Sequence, residues 1–254
     1  MKNFLILLNV RHMGTHISII MVTAMNTAMN SFAFLQMVQI CDSLFPIGTF
    51  TLSNGLETFV CKDKIKSDQD LVHYLESVLE ILPFNDLGTM MLAYRQEGEY
   101  GYLEQLDALS MAYKAPMEVR MGNKKLCSRF MKTMKKIAEY PKLMEYQKKI
   151  ENGCCIGNHA IAVGLFAKDI GLACEVAAGI YAYSLLSAIV TNAVKTVPLS
   201  QMSGQKILNE CLKKIDVCIG IAQNIDMEDL GIGATEIDIE AMNHEVLYSR
   251  LYMS

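Results

Sequence analysis

Three residues whose side chains bind metals lie close together in the sequence, at Cys154, Cys155 and His159. Thiolate and imidazole groups are suitable ligands for nickel and other borderline metal ions. The 8 cysteines contain no C-x-x-C pair, however, and the 5 histidines are scattered along the chain, so no ligand spacing typical of a metal site is present. Two partly buried thiols beside a histidine that begins a helix are the simpler interpretation, and a nickel-binding metallochaperone that uses these three residues is the alternative.

The sequence also lacks the motifs that position substrates or phosphates in common enzymes. It contains no G-x-x-x-x-G-K-[ST], no G-x-G-x-x-G and no G-x-S-x-G, so neither a phosphate-binding loop nor a hydrolase nucleophile is indicated. We therefore predict no catalytic residues, no cofactor and no resident metal. The net charge of -4 provides no general attraction to nucleic acid, and the 52% hydrophobic content excludes an intrinsically disordered chain.

Charge is distributed unevenly along the chain. The segment 120–149 contains ten Lys or Arg residues, whereas the segment 226–245 contains seven acidic residues and no Lys or Arg. A nucleic-acid site would require stacking aromatic side chains or a known motif beside the basic residues, and Tyr140 and Tyr146 are too few. A solvated helix face is the simpler interpretation of the basic segment, with a docking surface for an acidic partner as the alternative.

Three segments contain polar, Gly and Pro residues that core packing does not require, at residues 42–59, 192–208 and 244–254. In the first segment, Pro46, Gly48 and Gly55 fix the backbone path and bring Phe50 near Glu57. The other two place polar or aromatic side chains at the start of a helix and at the end of the chain. Capped turns and a frayed terminus are the alternative to an interaction role.

The elements that must position these segments are helices, because the dominant apolar period is helical and β-strand signals are nearly absent. Ser67 and Asp70 resemble a capping box that begins a helix, and Pro83 ends that helix. Pro116 opens a second helix, which Pro141 is expected to stop. Three further helices follow at residues 159–170, 173–195 and 200–223.

The connections between these later helices are short, which favours neighbouring helices packed as a bundle. An irregular acidic segment at 224–235 precedes a last helix, which is expected to begin near Asp238. We expect the chain beyond it to continue as a terminal helix that frays unless a partner covers it. Because no internal repeat or domain linker is recognisable, we predict one all-α domain at residues 29–254, a helical bundle without a significant β-sheet.

Residues 1–28 form an apolar extension whose charged residues are Lys2 and Arg11. Each of its two apolar stretches is shorter than the ~20 residues of a membrane span, and no convincing signal-peptide cleavage site follows them. We expect this extension to be dispensable, either as a tail or as sequence upstream of the true start. A helical membrane-associated protein that uses it is the alternative. Residues 176–194 are uncharged and long enough to span a bilayer, yet a buried central helix is the better interpretation.

Five segments, taken together, resemble the urease accessory protein family UreF. They are DSLFPIGTFTLSNGLE (42–57), PMEVRMGNKKLCSRF (116–130), HAIAVGLFAKDIG (159–171), AVKTVPLSQMSGQKIL (193–208) and HEVLYSRLYMS (244–254). Each phrase is weak alone, whereas five phrases in the family's order are specific. The resemblance extends from about Ser31 to the C-terminus, and it implies an all-α cytoplasmic protein without catalytic activity of its own.

The same resemblance implies partners. UreF-like proteins form dimers, bind the accessory protein UreH (also called UreD) and recruit the GTPase UreG. Their assembly delivers nickel to the urease apoprotein and links GTP hydrolysis to that delivery. Their C-terminal segment tends to become ordered on joining UreH. No nucleic acid or membrane is expected among the partners.

By this resemblance, Glu57 and Lys195 correspond to positions implicated in regulating GTPase coupling, and Arg250 lies in the terminal segment used for assembly. Phe50 stands where relatives often have Tyr, so it offers no phenolic hydroxyl. The candidate residues for partner binding and regulation are Phe50, Ser53, Glu57, Lys195, Gln201, Gln205, Arg250, Leu251 and Tyr252.

Overall fold

The computed structural model describes residues 31–98 and 100–252. These residues fold into α-helices joined by loops and short 3₁₀ turns, and within them no β-strand is present. The predicted all-α class is therefore confirmed. In chain order the helices are α1 (Ser31–Cys41), α2 (Leu56–Cys61), α3 (Asp68–Ile81), α4 (Asp86–Arg95), α5 (Tyr102–Ala112), α6 (Met117–Ile137), α7 (Pro141–Glu151), α8 (His159–Asp169), α9 (Cys174–Thr196), α10 (Gln201–Ala222) and α11 (Thr235–His244).

Helix α3 begins and ends where its sequence indicates. The Asp70 N–H donates to the Ser67 hydroxyl at 3.3 Å, and the Ser67 N–H donates to the Asp70 carboxylate at 3.0 Å, which forms the predicted capping box. After Ile81 the chain tightens into a 3₁₀ turn, Leu82–Phe84. Pro83 lacks the N–H that another α-helical turn would use, so the helix stops there.

Pro141 has a different role from the predicted one. Pro116 is the N-cap of α6 as expected, but α6 already ends at Ile137, and Pro141 is the first residue of α7. Proline is favourable at the first position of a helix, because the N–H that it lacks would have no helical partner there. The sequence analysis therefore missed α7.

The centre of the bundle is the packing of α4 against α8. All residues from His159 to Ala167 are buried, and so are residues 87–93 of α4. The two helices approach each other closely at Gly164, where an added Cβ would lie 2.2 Å from the carbonyl oxygen of Met90. A glycine is therefore needed at this crossing, since any larger residue would push the helices apart.

The longest described helix, α9, contains 23 residues. Within residues 31–98 and 100–252 it is the one helix whose length and composition would permit a membrane span. It packs along α10 and also contacts α1 and α4, whereas Val176 and Tyr183 are 43% and 44% exposed, so other helices cover it in part and not all round as predicted. The apolar extension at 1–28 lies outside the described residues.

The end of the chain differs most from its prediction. Helix α11 begins at Thr235, one turn before the expected Asp238, and it ends at His244. Residues 245–252 form turns and bends, so the expectation of a terminal helix is wrong for this segment. In a helix, the backbone N–H groups of this segment would donate to carbonyl oxygens of the preceding turn. Here the N–H groups of Leu251 and Tyr252 donate to a buried carboxylate instead. Those acceptors define the candidate site.

Candidate functional site

Two glutamates and one histidine meet at the place where α2, α6 and α11 converge. Helix α2 supplies Glu57, α6 supplies Glu118 in its first turn, and α11 supplies His244 as its last residue. Gly55, the N-cap of α2, has a φ of +92°, and an added Cβ there would lie 2.9 Å from the backbone N of Ala241. This glycine lets α11 pack directly on the start of α2, which brings Glu57 against His244.

His244 is completely buried and bridges the two carboxylates. Its Nε2 lies 3.0 Å from Oε2 of Glu57, and its Nδ1 lies 2.6 Å from Oε2 of Glu118. A neutral imidazole carries one N–H, so hydrogen bonds from both ring nitrogens require a second proton, on the ring or on a carboxyl group. An imidazolium held between two carboxylates satisfies both contacts.

The chain terminus supplies the remaining donors. Nη1 of Arg250 lies 2.7 Å from Oε1 of Glu118. The backbone N–H of Leu251 donates to Oε1 of Glu57 at 2.6 Å, and that of Tyr252 donates to Oε2 at 3.2 Å. We name Glu57, Glu118, His244, Arg250 and these two backbone amides the terminal clamp. Glu57 is buried and Glu118 is partly buried, and the clamp provides both carboxylates with hydrogen-bond donors, the condition under which buried carboxylates are tolerated.

A second set of charges holds α11 in place one turn before the clamp. Glu240, which is buried, accepts hydrogen bonds from Lys62 at 2.5 Å and from Lys64 at 2.7 Å. Burial raises the pKa of Glu240, but the hydrogen bonds from Lys62, Lys64 and Asn243 outweigh burial and bring the pKa to about 2. The acidic segment at 226–245 therefore finds partners in the loop after α2.

Comparisons with known proteins identify relatives of this chain. A sequence model of the UreF family matches residues 65–212. The chain is 30% identical over 224 residues to the urease accessory protein UreF of Streptococcus salivarius (strain 57.I), covering 87% of this chain and 94% of the relative. It is 35% identical over 223 residues to that of Actinobacillus pleuropneumoniae serotype 3 (strain JL03), covering 86% of this chain and 97% of the relative.

The chain belongs to the UreF family. Membership makes it a non-catalytic accessory protein that takes part in urease maturation. The segment matched by the family model includes Glu118, whereas Glu57 and His244 lie on either side of it. The terminal clamp thus joins the matched segment to both flanking parts of this UreF-family protein.

Several of the predicted site residues meet in the clamp. Glu57 is its buried acceptor, and Arg250, Leu251 and Tyr252 supply donors. Lys195, Gln201 and Gln205 are exposed at the junction of α9 and α10, and no described hydrogen bond brings their side chains into the clamp. They remain candidates on the basis of the family resemblance alone.

Asn192 of α9 connects the three predicted segments. The side-chain amide of Asn192 donates to the backbone carbonyl oxygen of Leu52 at 3.0 Å. The backbone carbonyl oxygen of Asn192 accepts a hydrogen bond from the hydroxyl of Tyr252 at 3.4 Å. Leu52 follows the 3₁₀ turn that contains Phe50, which is half-buried, and precedes Ser53, which is buried. Because Lys195 lies one turn further along α9, these contacts bring the three segments to one side of the molecule.

Sequence reasoning missed two members of the clamp, Glu118 and His244. Both lie in phrases that carry the family resemblance, at 116–130 and 244–254. Their contacts join residues that are 126 and 187 positions apart in the chain. No local spacing in the sequence signals such contacts. The sequence therefore indicated the segments that contain Glu118 and His244, but not that these two residues contact each other.

The residues of the alternative nickel site do not converge. Cys154 is exposed and Cys155 is buried, while the ring of His159 packs against Phe130 in the interior. Burial, with the nearby charges of Asp107 and Glu104, raises the pKa of Cys155 to about 12, and a protonated thiol is a poor metal ligand. Among the described residues, no three His, Cys, Asp or Glu side chains are grouped as metal ligands.

The loop that carries these cysteines is instead organised by Asp107, a fully buried carboxylate on α5. Asp107 accepts hydrogen bonds from the hydroxyl of Tyr146, from the N–H of Ile156 at 2.6 Å and from the N–H of Gly157 at 3.1 Å. The Tyr146 hydroxyl in turn accepts from the N–H of Asn158 at 2.7 Å. We name these five residues the Asp107 network, and its role is to hold the loop against α5 and α7.

Proposed function

We propose that this chain assembles with UreH (UreD) and recruits the GTPase UreG, and that the resulting complex supports nickel insertion into apo-urease. We further propose that it acts as a homodimer in the cytoplasm. These partners and roles come from the family resemblance. The observation that carries the proposal is the terminal clamp, which attaches the end of the chain to a buried part of the fold.

The clamp supports a docking role because it leaves apolar side chains exposed. Val246 is 82% exposed, Leu251 is 76% exposed and the side chain of Tyr248 is fully exposed. Exposed apolar side chains on an ordered segment are typical of a protein interface. Because the clamp fixes the backbone beforehand, a partner would lose less binding free energy to ordering the segment.

A second part of the proposed surface is the junction of α9 and α10. Lys195, Gln201 and Gln205 are exposed there, and the hydroxyl of Tyr252 reaches α9 one turn before Lys195. We therefore propose that the terminal segment and this junction contact partners together. In this proposal, Glu57 positions the terminal segment from beneath, and Lys195 contacts the partner directly to regulate GTPase coupling.

The test is assembly with purified UreH and UreG, followed by size-exclusion chromatography with light scattering and by a urease activation assay. UreG is supplied with Mg²⁺ and either GTP or GDP. Wild-type chain should form a complex with UreH and then retain UreG in one nucleotide state. Arg250→Ala should weaken UreG retention by about tenfold, because the terminal segment loses its contact with Glu118.

A matched control is Lys213→Ala, since Lys213 also pairs with a glutamate, Glu210, at the surface. This control should assemble and activate like the wild type. Normal UreG retention by Arg250→Ala, with UreH bound, would contradict the proposed role of the terminal segment. Failure of the wild type to bind UreH would contradict the proposed partner.

A further inference from the structure

A groove of about 590 Å³ lies between α6 and α7, both of which pack against α8. Its lining on α6 extends from Lys124 to Lys136, which is roughly 18 Å along the helix axis and matches about three turns of a helix. The opposite wall consists of residues from the end of α7 and from the loop after it, which are Gln147, Ile150, Glu151, Ile156 and Gly157.

Four apolar residues line the groove, at Cys127, Met131, Ile150 and Ile156. The first two are buried, whereas Ile156 is 42% exposed. The backbone N–H of Ile156 donates to Asp107 at 2.6 Å, so the Asp107 network fixes the backbone that carries this exposed side chain. An apolar side chain held in place beside a groove is a preformed contact for an apolar group of a partner.

The groove also carries an excess of positive charge. Its wall on α6 contains four exposed lysines, which are Lys124, Lys132, Lys135 and Lys136. Among the residues that the structure describes, none of these four side chains has an ion-pair or hydrogen-bond partner. The lining contains one acidic residue, Glu151, which accepts a hydrogen bond from the side-chain amide of Gln147 at 2.7 Å. The described part of the chain therefore leaves the four ammonium groups without a neutralising partner.

The helix dipole accounts for two of these lysines but not for the other two. Lys135 and Lys136 lie in the last turn of α6, where the negative end of the dipole stabilises positive charge. Lys132 lies three and four residues before them, the spacing at which like charges on a helix repel each other. Lys124 lies about two turns before Lys132, on the same side of the helix. Carboxylates from a partner would relieve this repulsion.

We propose that this groove binds an acidic amphipathic helix of another protein, with carboxylates paired to Lys124 and Lys132 and apolar side chains packed against Ile150 and Ile156. The combination of features favours this class of partner. A nucleic-acid backbone or a lipid headgroup would use the lysines alone, whereas an amphipathic helix in a groove uses both the lysines and the apolar lining.

The acidic segment at 226–245 of this chain is not the occupant. Glu236 and Glu240 of that segment pair with Lys64, and α11, which carries them, packs on α2 and α6. No residue of the terminal clamp lines the groove. The inference therefore does not rest on the partners proposed above, and it is tested on the isolated chain.

The probe is a fluorescein-labelled synthetic helix of about 14 residues, with leucines along one face and glutamates on both flanks. Its binding to the full chain is measured by fluorescence anisotropy. One comparator has Gln in place of every Glu, and the other has Ala in place of every Leu. Each comparator should bind about tenfold more weakly, because each loses one of the two kinds of contact. Equal binding of the probe and either comparator, or no binding of the probe, would overturn the proposal.

Variants of the chain locate the bound helix. Lys124→Gln combined with Lys132→Gln should weaken binding of the probe by about tenfold. The matched control, Lys66→Gln combined with Lys206→Gln, removes the same charge at exposed positions outside the lining and should bind the probe like the wild type. Equal weakening by both pairs would show a general attraction between charges and would contradict the proposal. Circular dichroism checks that each variant folds.

Ile156→Ser tests the apolar contact separately, and it should weaken binding of the probe by about fivefold. Unchanged binding in this variant would contradict the packing assigned to Ile156. Single-stranded RNA and vesicles of phosphatidylcholine with phosphatidylserine serve as competitors, and neither should displace the probe as well as the unlabelled peptide does. Stronger displacement by either competitor would assign the groove to a nucleic acid or to a membrane surface and would overturn the proposal.

Discussion

The Asp107 network and the terminal clamp both bury carboxylates, but they use different kinds of partner. Asp107 is held by donors from α7 and the following loop, of which Tyr146 and Gly157 are buried and Ile156 is 42% exposed. Glu57 receives two of its three hydrogen bonds from the last described residues of the chain, of which Leu251 is 76% exposed. The donors to Asp107 lie in and after α7, between two packed helices, whereas those to Glu57 lie in a terminal segment that can leave without unfolding the bundle.

We therefore expect the Asp107 network to determine the stability of the domain and the terminal clamp to determine assembly with partners. Breaking the Asp107 network leaves buried donors without an acceptor in the middle of the fold, so the whole domain should be affected. Breaking the clamp should release the terminal segment first, because terminal segments open locally at lower free energy than the core. The following predictions test that separation in order of expected effect on stability.

The largest effect is expected for Asp107→Ala, which should lower the free energy of unfolding by about 3 kcal/mol. Tyr146, Ile156 and Gly157 all lose their acceptor in this variant. Urea denaturation followed by circular dichroism measures the change. Asp216→Ala, at an exposed position of α10, is the matched control and should change stability little. A loss in Asp107→Ala no larger than that of the control would show that the network is not structural.

Glu57→Ala is expected to lower the free energy of unfolding by about 2 kcal/mol. Its larger effect is expected in the terminal segment. The amides of Leu251 and Tyr252 lose their acceptor, so the terminal segment should exchange amide hydrogens and undergo carboxypeptidase digestion faster than in the wild type. Hydrogen-exchange mass spectrometry of terminal peptides measures this, with Glu145→Ala as an exposed control. Terminal exchange that stays at the wild-type rate would mean that Glu57 does not hold the segment.

The lowered pKa of Glu240 predicts that the folded chain becomes less stable as the pH falls. Its pKa in the folded chain, about 2, is below the ordinary value of 4.5, so folding favours the charged form. The stabilisation is complete above about pH 4.5 and is lost as the pH falls through about 2. Because Lys62 and Lys64 are 42% and 39% exposed, solvent screening limits the effect to about 1 kcal/mol.

The measurement is acid unfolding of the wild type and of Glu240→Gln. The stability difference between them should be largest near neutral pH and should shrink on acidification below pH 4.5, the ordinary pKa of a glutamate side chain. A difference that stays constant down to pH 2 would contradict the role assigned to the charged form of Glu240.

The smallest effect is expected for the double variant Cys154→Ser with Cys155→Ala. Cys154 is exposed and Cys155 is a protonated buried thiol, so neither is needed as a nickel ligand in this account. Urease activation should stay within about threefold of the wild type. Complete loss of activation, with circular dichroism and UreH binding preserved, would restore the alternative in which the chain itself carries nickel.

Much of the fold is readable from local sequence, because capping and apolar periodicity act within one helix. Ser67 and Asp70 form the cap that their spacing predicts. Helix α7 is missed because Pro141 was expected to stop α6, whereas it is the first residue of a new helix.

The site is less readable than the fold, since its residues meet only after the helices pack. Glu57 and Arg250 entered the candidate set through the family resemblance rather than through spacing. Their partners Glu118 and His244 are fixed by the packing of α11 on α2 and α6, which depends on the absence of a side chain at Gly55. No pattern within a single segment encodes that packing.

The central claim is that Arg250 acts through Glu118 to hold the terminal segment for its partner. A double-mutant cycle of Glu118→Gln and Arg250→Gln, measured as the affinity of UreG for the complex with UreH, tests it most directly. The account predicts that each single variant weakens UreG binding by about tenfold and that the double variant is no weaker than either single one. Losses that multiply to about a hundredfold in the double variant would show that the two residues act independently, and would contradict the clamp as the basis of assembly.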